Sequence, residues 1–122
     1  MTVAVVILNW NGKNFLEKFL PSVVTNSSYM ADVVVIDNGS TDESIRFLSA
    51  AFPEIKIILN PTNFGFAGGY NEGLEQLKQS SYNYYMLLNS DVEVTEKWLE
   101  PLLELLESDS SIAACQPKML NY

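Results

Sequence analysis

Val33-Val-Val-Ile-Asp-Asn-Gly-Ser-Thr-Asp-Glu43 is the stretch whose reading decides the fold. Val33 to Ile36 is a short, uncharged, β-branched run, the pattern of a strand covered on both faces. Asp37-Asn-Gly-Ser-Thr-Asp42 interrupts it with residues that favour turns. Ser40-Thr-Asp-Glu43 has capping-box spacing, and Ile45, Leu48 and Phe52 then follow at helical intervals. A buried strand, a polar loop and an amphipathic helix are read in one continuous stretch.

The same unit extends in both directions. Val3 to Leu8, Ile55 to Leu59 and Tyr84 to Leu88 read as three further strands. Phe15, Leu16, Phe19, Leu20 and Val23 mark a first helix, and Leu74 and Leu77 a third that opens near Gly68. A fourth helix is expected from Thr95 to Asp109, with Pro101 in its early turns, where it costs least. Trp98 and the leucines of that helix read as a core or interface stripe rather than a ligand platform. Ile112 to Cys115 reads as a short fifth strand. Alternating β and α units imply right-handed crossovers, and hence a three-layer α/β/α sandwich on a mostly parallel sheet. A chain of 122 residues is one domain, taken here as residues 1–122.

Composition removes whole classes of function. An apolar content of 48% and a mean hydropathy of +0.06 fit a packed core and not a disordered tail. Seven Lys and Arg against fifteen Asp and Glu give a net charge of −8, too few cations for a nucleic-acid binder. The single cysteine, Cys115, excludes an internal disulfide and fits a reducing compartment. The absence of histidine excludes Ser-His-Asp and Cys-His catalysis and His-ligated zinc. No run approaches the ~18 apolar residues of a transmembrane segment, and the N-terminus carries no basic signal region. A cytoplasmic protein is expected, or one peripheral to the inner face of the membrane.

In sheets of this kind ligands sit beyond the carboxyl ends of the strands. The segments there are Asn9-Trp-Asn-Gly12, Asp37 to Asp42, Asn60 to Gly69 and Asn89-Ser-Asp91. Asn, Asp and Gly are also ordinary turn residues, but four such loops on one edge favour a polar, oxygen-rich ligand. No G-x-G-x-x-G follows the first strand and no P-loop is present. A receiver-type acidic pair is missing too, since Asn9-Trp-Asn11 stands in its place.

Val5-Val-Ile-Leu-Asn-Trp-Asn-Gly12, Val35-Ile-Asp-Asn-Gly-Ser-Thr-Asp42, Asn63-Phe-Gly-Phe-Ala-Gly-Gly-Tyr-Asn-Glu-Gly73 and Leu87-Leu-Asn-Ser-Asp-Val92 together resemble the four donor motifs of family 2 glycosyltransferases, in the rhamnosyltransferase-like variant. The resemblance runs over practically the whole chain. It implies the nucleotide-binding half of a GT-A (Rossmann-like) fold and an inverting transferase. The implied donor is a UDP- or dTDP-sugar held with Mg2+ or Mn2+. The implied acceptor is a glycan or lipid-linked glycan, as in polysaccharide biosynthesis.

Residue by residue, the resemblance places base and ribose contacts at Asn9 and Asn11 and the pyrimidine-binding carboxylate at Asp37. An ionised carboxylate accepts the imide N–H of uracil or thymine and rejects cytosine; an Asx-turn holding the next helix is the competing use of Asp37. Asp42 is assigned to the helix start rather than to the ligand. Asn63, Gly65, Ala67 and Asn71 fall in the third motif, and Trp10 is placed to flank the base. Asn89 and Ser90 stand at donor-binding positions where the family carries acidic residues. Asp91 is the implied metal ligand, one carboxylate being adequate for a cation shared with phosphates. The general base is expected beyond Tyr122, in an acceptor-binding half, so this chain alone is expected to bind donor without turnover. Surfaces left by that half are expected to favour a homodimer. The alternative is a non-catalytic interaction module that keeps the transferase fold.

Overall fold

A computed structural model describes residues 2–121; Met1 and Tyr122, the ends of the expected domain, lie outside the described residues. Its sheet has four strands, β1 (Val3–Asn9), β2 (Asp32–Asn38), β3 (Lys56–Asn60) and β4 (Tyr84–Leu88). All pairings are parallel, in the order β3-β2-β1-β4. The helices are α1 (Lys13–Ser27), α2 (Ser44–Ala51), α3 (Gly65–Leu77) and α4 (Glu100–Ser108).

Alternation along the strands divides the core in two. Val3, Val5, Ile7, Val33 and Val35 face Leu16, Leu20 and Val23 of α1, Leu48 of α2, and Leu99 and Leu103 at α4. Ala4, Val6, Val34, Ile36 and Ile58 face Tyr70 and Leu77 of α3. The chain steps outward from β1 to β3 with right-handed crossovers, which puts α1 and α2 on one face. It then reverses across β1 to reach β4, so the same handedness puts α3 on the opposite face. Each fully buried Val, Ile or Leu contributes about 1.5–3 kcal/mol of transfer free energy. The unbroken apolar runs of β1 and β2 are the mark of strands covered on both sides.

Of the expected Trp98 stripe, Leu99, Leu102 and Leu103 are buried, Trp98 is half-buried against the core and Leu105 is exposed. The Trp98 ring packs against the α1 side, and its Nε1 donates to Ser27 Oγ at 3.0 Å. The segment before α4 is pinned to α1 by Asn26 Nδ2 to Val94 O at 3.2 Å and Val94 N to Ser22 Oγ at 3.2 Å.

Three expectations are corrected. Ile112 to Cys115 is not a strand: Cys115 Sγ approaches Leu102 O of α4 at 3.8 Å, and the segment meets no sheet edge with which to pair. α4 starts at Glu100 and not at Thr95, because Lys97 takes a left-handed φ of 58°. Pro101 then falls in the first helical turn, where its missing N–H leaves no intrahelical bond unmade. α3 opens at Gly65, one turn earlier than Gly68. Among the described residues no helix is long and apolar enough to cross a membrane.

Gly73 shows how closely α3 lies on the sheet. A Cβ there would stand 2.2 Å from Ile36 Cδ1 and 2.5 Å from Cγ1, and Ile36 is fully buried. Gly73→Ala is therefore expected to cost about 1–3 kcal/mol by overpacking. Adding Ile36→Val should return part of that loss, as read from urea unfolding midpoints.

Candidate functional site

β1, β2 and β3 end on Asn9, Asn38 and Asn60, and all three are almost wholly buried. A buried amide without partners is costly, so the loops beyond must supply donors and acceptors. They do so in two clusters, one on each face of the sheet. These satisfy Asn38 fully and the NH2 groups of Asn9 and Asn60, but leave Asn9 Oδ1 and Asn60 Oδ1 without a donor among the described residues.

The first is centred on Asp37, only 1% exposed. Its Oδ1 accepts from Asn9 Nδ2 at 3.0 Å and Ser40 Oγ at 2.7 Å, and its Oδ2 from the Ser40 backbone N–H at 2.9 Å. Ser40 Oγ in turn accepts from the Asn11 N–H at 2.9 Å. Asn11, at a left-handed φ of 48°, accepts with Oδ1 from the N–H groups of Thr41 at 2.7 Å and Asp42 at 3.1 Å. The loops after β1 and β2 are thereby tied together. This corrects the capping-box reading: Glu43, not Ser40, occupies the N-cap position of α2, because the buried carboxylate claims the Ser40 hydroxyl. Asp42 serves both helix starts, accepting from Ser44 N at 3.0 Å and Lys13 N at 3.2 Å.

The second cluster is centred on Asn38 and holds the loop Asn63–Gly65 and the start of α3. Tyr70 Oη donates to Leu88 O at 3.0 Å, tying α3 to the end of β4. Burial pushes the Tyr70 hydroxyl pKa up, which keeps it a donor.

Above these clusters lies a cavity of about 390 Å³ lined by Leu8, Trp10, Phe15, Asn38, Asn63, Gly65, Phe66, Asn89, Ser90 and Asp91. It opens where the strand order reverses, between the ends of β1 and β4. Of the residues expected at a site, the structure brings together Asn63, Gly65, Asn89, Ser90 and Asp91, with Trp10 beside them. Asn9, Asn11 and Asp37 do not line the cavity; Asn9 Nδ2, Asn11 Oδ1 and both Asp37 oxygens bond within the network that joins the loops after β1 and β2. Ala67 and Asn71 are exposed on α3, away from it. Leu8, Phe15, Asn38 and Phe66 line it without having been singled out. For Asn38 and Leu8 the period of two along a strand was the available signal. It sets Asn38 with Ile36 and Leu8 with Val6 on the α3 face, and Asp37 with Val35 on the other.

The wall holds one charged side chain, Asp91, and no cation. Among the described residues no cluster of three or more Asp, Glu, Cys or His is placed to hold a metal by itself. One exposed carboxylate beside neutral Asn89 and Ser90 oxygens instead suits a hard cation that takes its remaining ligands from phosphates and water.

Glycosyl transferase family 2 has a sequence model that matches residues 4–120. The chain belongs to that family. An uncharacterized glycosyltransferase of Haemophilus influenzae is 28% identical over 115 residues, covering 92% of this chain and 35% of the relative. Two solved structures share the fold. S. aureus TarS 1-349 in complex with UDP-GlcNAc has a TM-score of 0.72 at 21% identity, over 88% of this chain and 32% of TarS. The mannosyltransferase PcManGT from Pyrobaculum calidifontis, in complex with GDP-Man and Mn2+, has a TM-score of 0.65 at 18% identity, over 85% and 32%. The family 2 chain thus spans about a third of the length of these proteins. Its sheet and flanking helices are the GT-A, Rossmann-like arrangement.

Asp42 offers a pH test of the loop network. Partial burial alone would raise its carboxyl pKa, but hydrogen bonds from Ser44 and the Lys13 backbone outweigh this and hold it below the ordinary 3.8. A value lowered by folding means stabilisation that is complete at neutral pH and is lost as pH falls through the folded-state value. The melting-temperature gap between the native chain and Asp42→Ala should be widest near neutrality and narrow on acidification below about pH 4.

Proposed function

We propose that this chain binds a nucleoside-diphosphate sugar, a UDP- or dTDP-sugar, as the donor half of an inverting glycosyltransferase. The acceptor would be a glycan or a lipid-linked glycan. The observation that carries this reading is the convergence of Asn63 and Gly65 from the third motif with Asn89, Ser90 and Asp91 from the fourth on one cavity.

The lining divides the work. Leu8, Trp10, Phe15 and Phe66 offer apolar and aromatic surface for a nucleobase, with Trp10 flanking it. Asn63, Asn89 and Ser90 offer neutral hydrogen-bonding groups for ribose and phosphate oxygens. A diphosphate would otherwise meet an acidic chain of net charge −8 with no cation on the wall. Asp91 would therefore hold Mg2+ or Mn2+, and that ion, when bound, neutralises charge developing on the leaving diphosphate. Asp37 is not assigned an imide contact, since it is almost wholly buried and does not line the cavity. With Asn9 and Asn11 it ties the loops after β1 and β2 together.

We assign the general base that deprotonates the acceptor to a part of the enzyme outside these residues, so the isolated chain binds donor and transfers nothing. The edge strand β4, Tyr84–Leu88, presents an unpaired and uncharged edge with Leu87 exposed, which favours self-association. Sedimentation should show dimers at high protein concentration, and a monomer throughout would dismiss that part.

Thermal-shift titration tests the donor reading. Ligand at about a hundredfold over its Kd stabilises by about 2.7 kcal/mol, enough to move the midpoint by several degrees. UDP or dTDP should raise the midpoint, more so with Mn2+, and Asp91→Ala should abolish the metal-dependent part. A flat response to every nucleotide would leave the chain an interaction module that keeps only the transferase fold.

A further inference from the structure

Asn38 has every hydrogen-bonding capacity of its side chain filled. Its Nδ2 donates to Asn63 Oδ1 and to Gly65 O, each at 3.0 Å. Its Oδ1 accepts from Asn60 Nδ2 at 3.1 Å and from the Phe64 N–H at 3.2 Å. Two donated hydrogens and two accepted ones exhaust an amide. Although Asn38 borders the cavity, it is only 2% exposed and has no free group to offer a ligand.

All but one of its partners lie in Asn63–Gly65, the loop that forms the next section of cavity wall. Asn63 Oδ1 also accepts from the Gly65 N–H at 2.8 Å. Asn60 sends its second amide hydrogen to Gly69 O at 3.2 Å. Contact reinforces the bonds, since a Cβ on Gly69 would lie 2.7 Å from Asn38 Nδ2. The first turn of α3 is therefore seated on two asparagines that terminate β2 and β3. Only an amide suits the Asn38 position. Its donors meet two oxygens while its acceptor meets two N–H groups, and a carboxylate would set oxygen against oxygen.

We propose that Asn38 is a positioning residue of the donor site, acting through the Asn63–Gly65 loop and the opening turn of α3 rather than by touching the nucleobase. Its consequence for binding rests on the donor reading above; its seating of the turn does not.

The test measures two quantities on the native chain and on Asn38→Asp, Asn38→Ala and Asn63→Asp. They are amide-exchange protection at Phe64 and Gly65, and UDP affinity in the presence of Mn2+, at neutral pH and at about pH 5. At neutral pH, Asn38→Asp should lose about tenfold in protection at both amides relative to native, and a similar factor in UDP affinity. At the acid pH much of both losses should return, because a protonated carboxyl again supplies a donor while keeping an acceptor. Asn38→Ala should show the losses at both pH values, which also covers the case in which Asn38→Asp does not fold at neutrality. Asn63→Asp should keep native protection, since Asn63 uses only its side-chain oxygen in the seating.

Native protection in both Asn38 variants, or lost protection with undiminished UDP affinity, would overturn the proposal. If the native chain binds no UDP at all, the donor reading fails instead, and the protection arm still decides whether Asn38 seats the turn.

Discussion

Three strands of this sheet end on asparagines that folding buries, and the NH2 group of each finds oxygen acceptors at close range, while Asn9 Oδ1 and Asn60 Oδ1 meet no donor among the described residues. The pairing of those NH2 groups shapes the working edge of the molecule. Asn9 brings Asp37 and Ser40 into register with the loop after β1, and Asn38 and Asn60 draw the start of α3 onto the sheet. Neighbouring residues of one strand point to opposite faces, so Asp37 and Asn38 serve different clusters although they are adjacent in sequence. The loops are held in place by the polar ends of the strands as much as by apolar packing.

The cavity follows from where those clusters leave space. The strand order reverses between β1 and β4, and α3, alone on its face, cannot cover the far end of that face. Leu8, Trp10, Phe15 and Phe66 border the opening, and Asn89, Ser90 and Asp91 stand beside it after β4. Asp91 is the one charged side chain on that wall.

Much of the architecture was legible in the chain because the signals were local. The apolar runs of β1 and β2, the helical spacing of Leu16, Leu20 and Val23, and the leucines after Trp98 each declare a buried face. Misreadings arose where a competing partner intervened. Ser40 had capping-box spacing, yet a carboxylate three residues earlier took its hydroxyl. Ile112 to Cys115 had strand composition, yet a strand exists only beside an edge, and this segment lies against α4. Asp37 carries the charge that suits an imide, but it is its neighbour Asn38 that borders the cavity, while Asp37 bonds with Asn9 and Ser40 on the other face.

By itself the sequence determined that short apolar strands would alternate with helices and deliver Asn, Asp and Gly to one rim, since apolar patterning and turn preference are properties of a residue and its near neighbours. Which of those polar groups remain free for a ligand was decided only in three dimensions. Hydrogen bonds between residues far apart in the chain, such as Asn9 with Asp37 and Asn60 with Gly69, consume some and spare others. The capacity of a side chain to bind belongs to its type. Whether that capacity is already spent depends on what the fold sets against it.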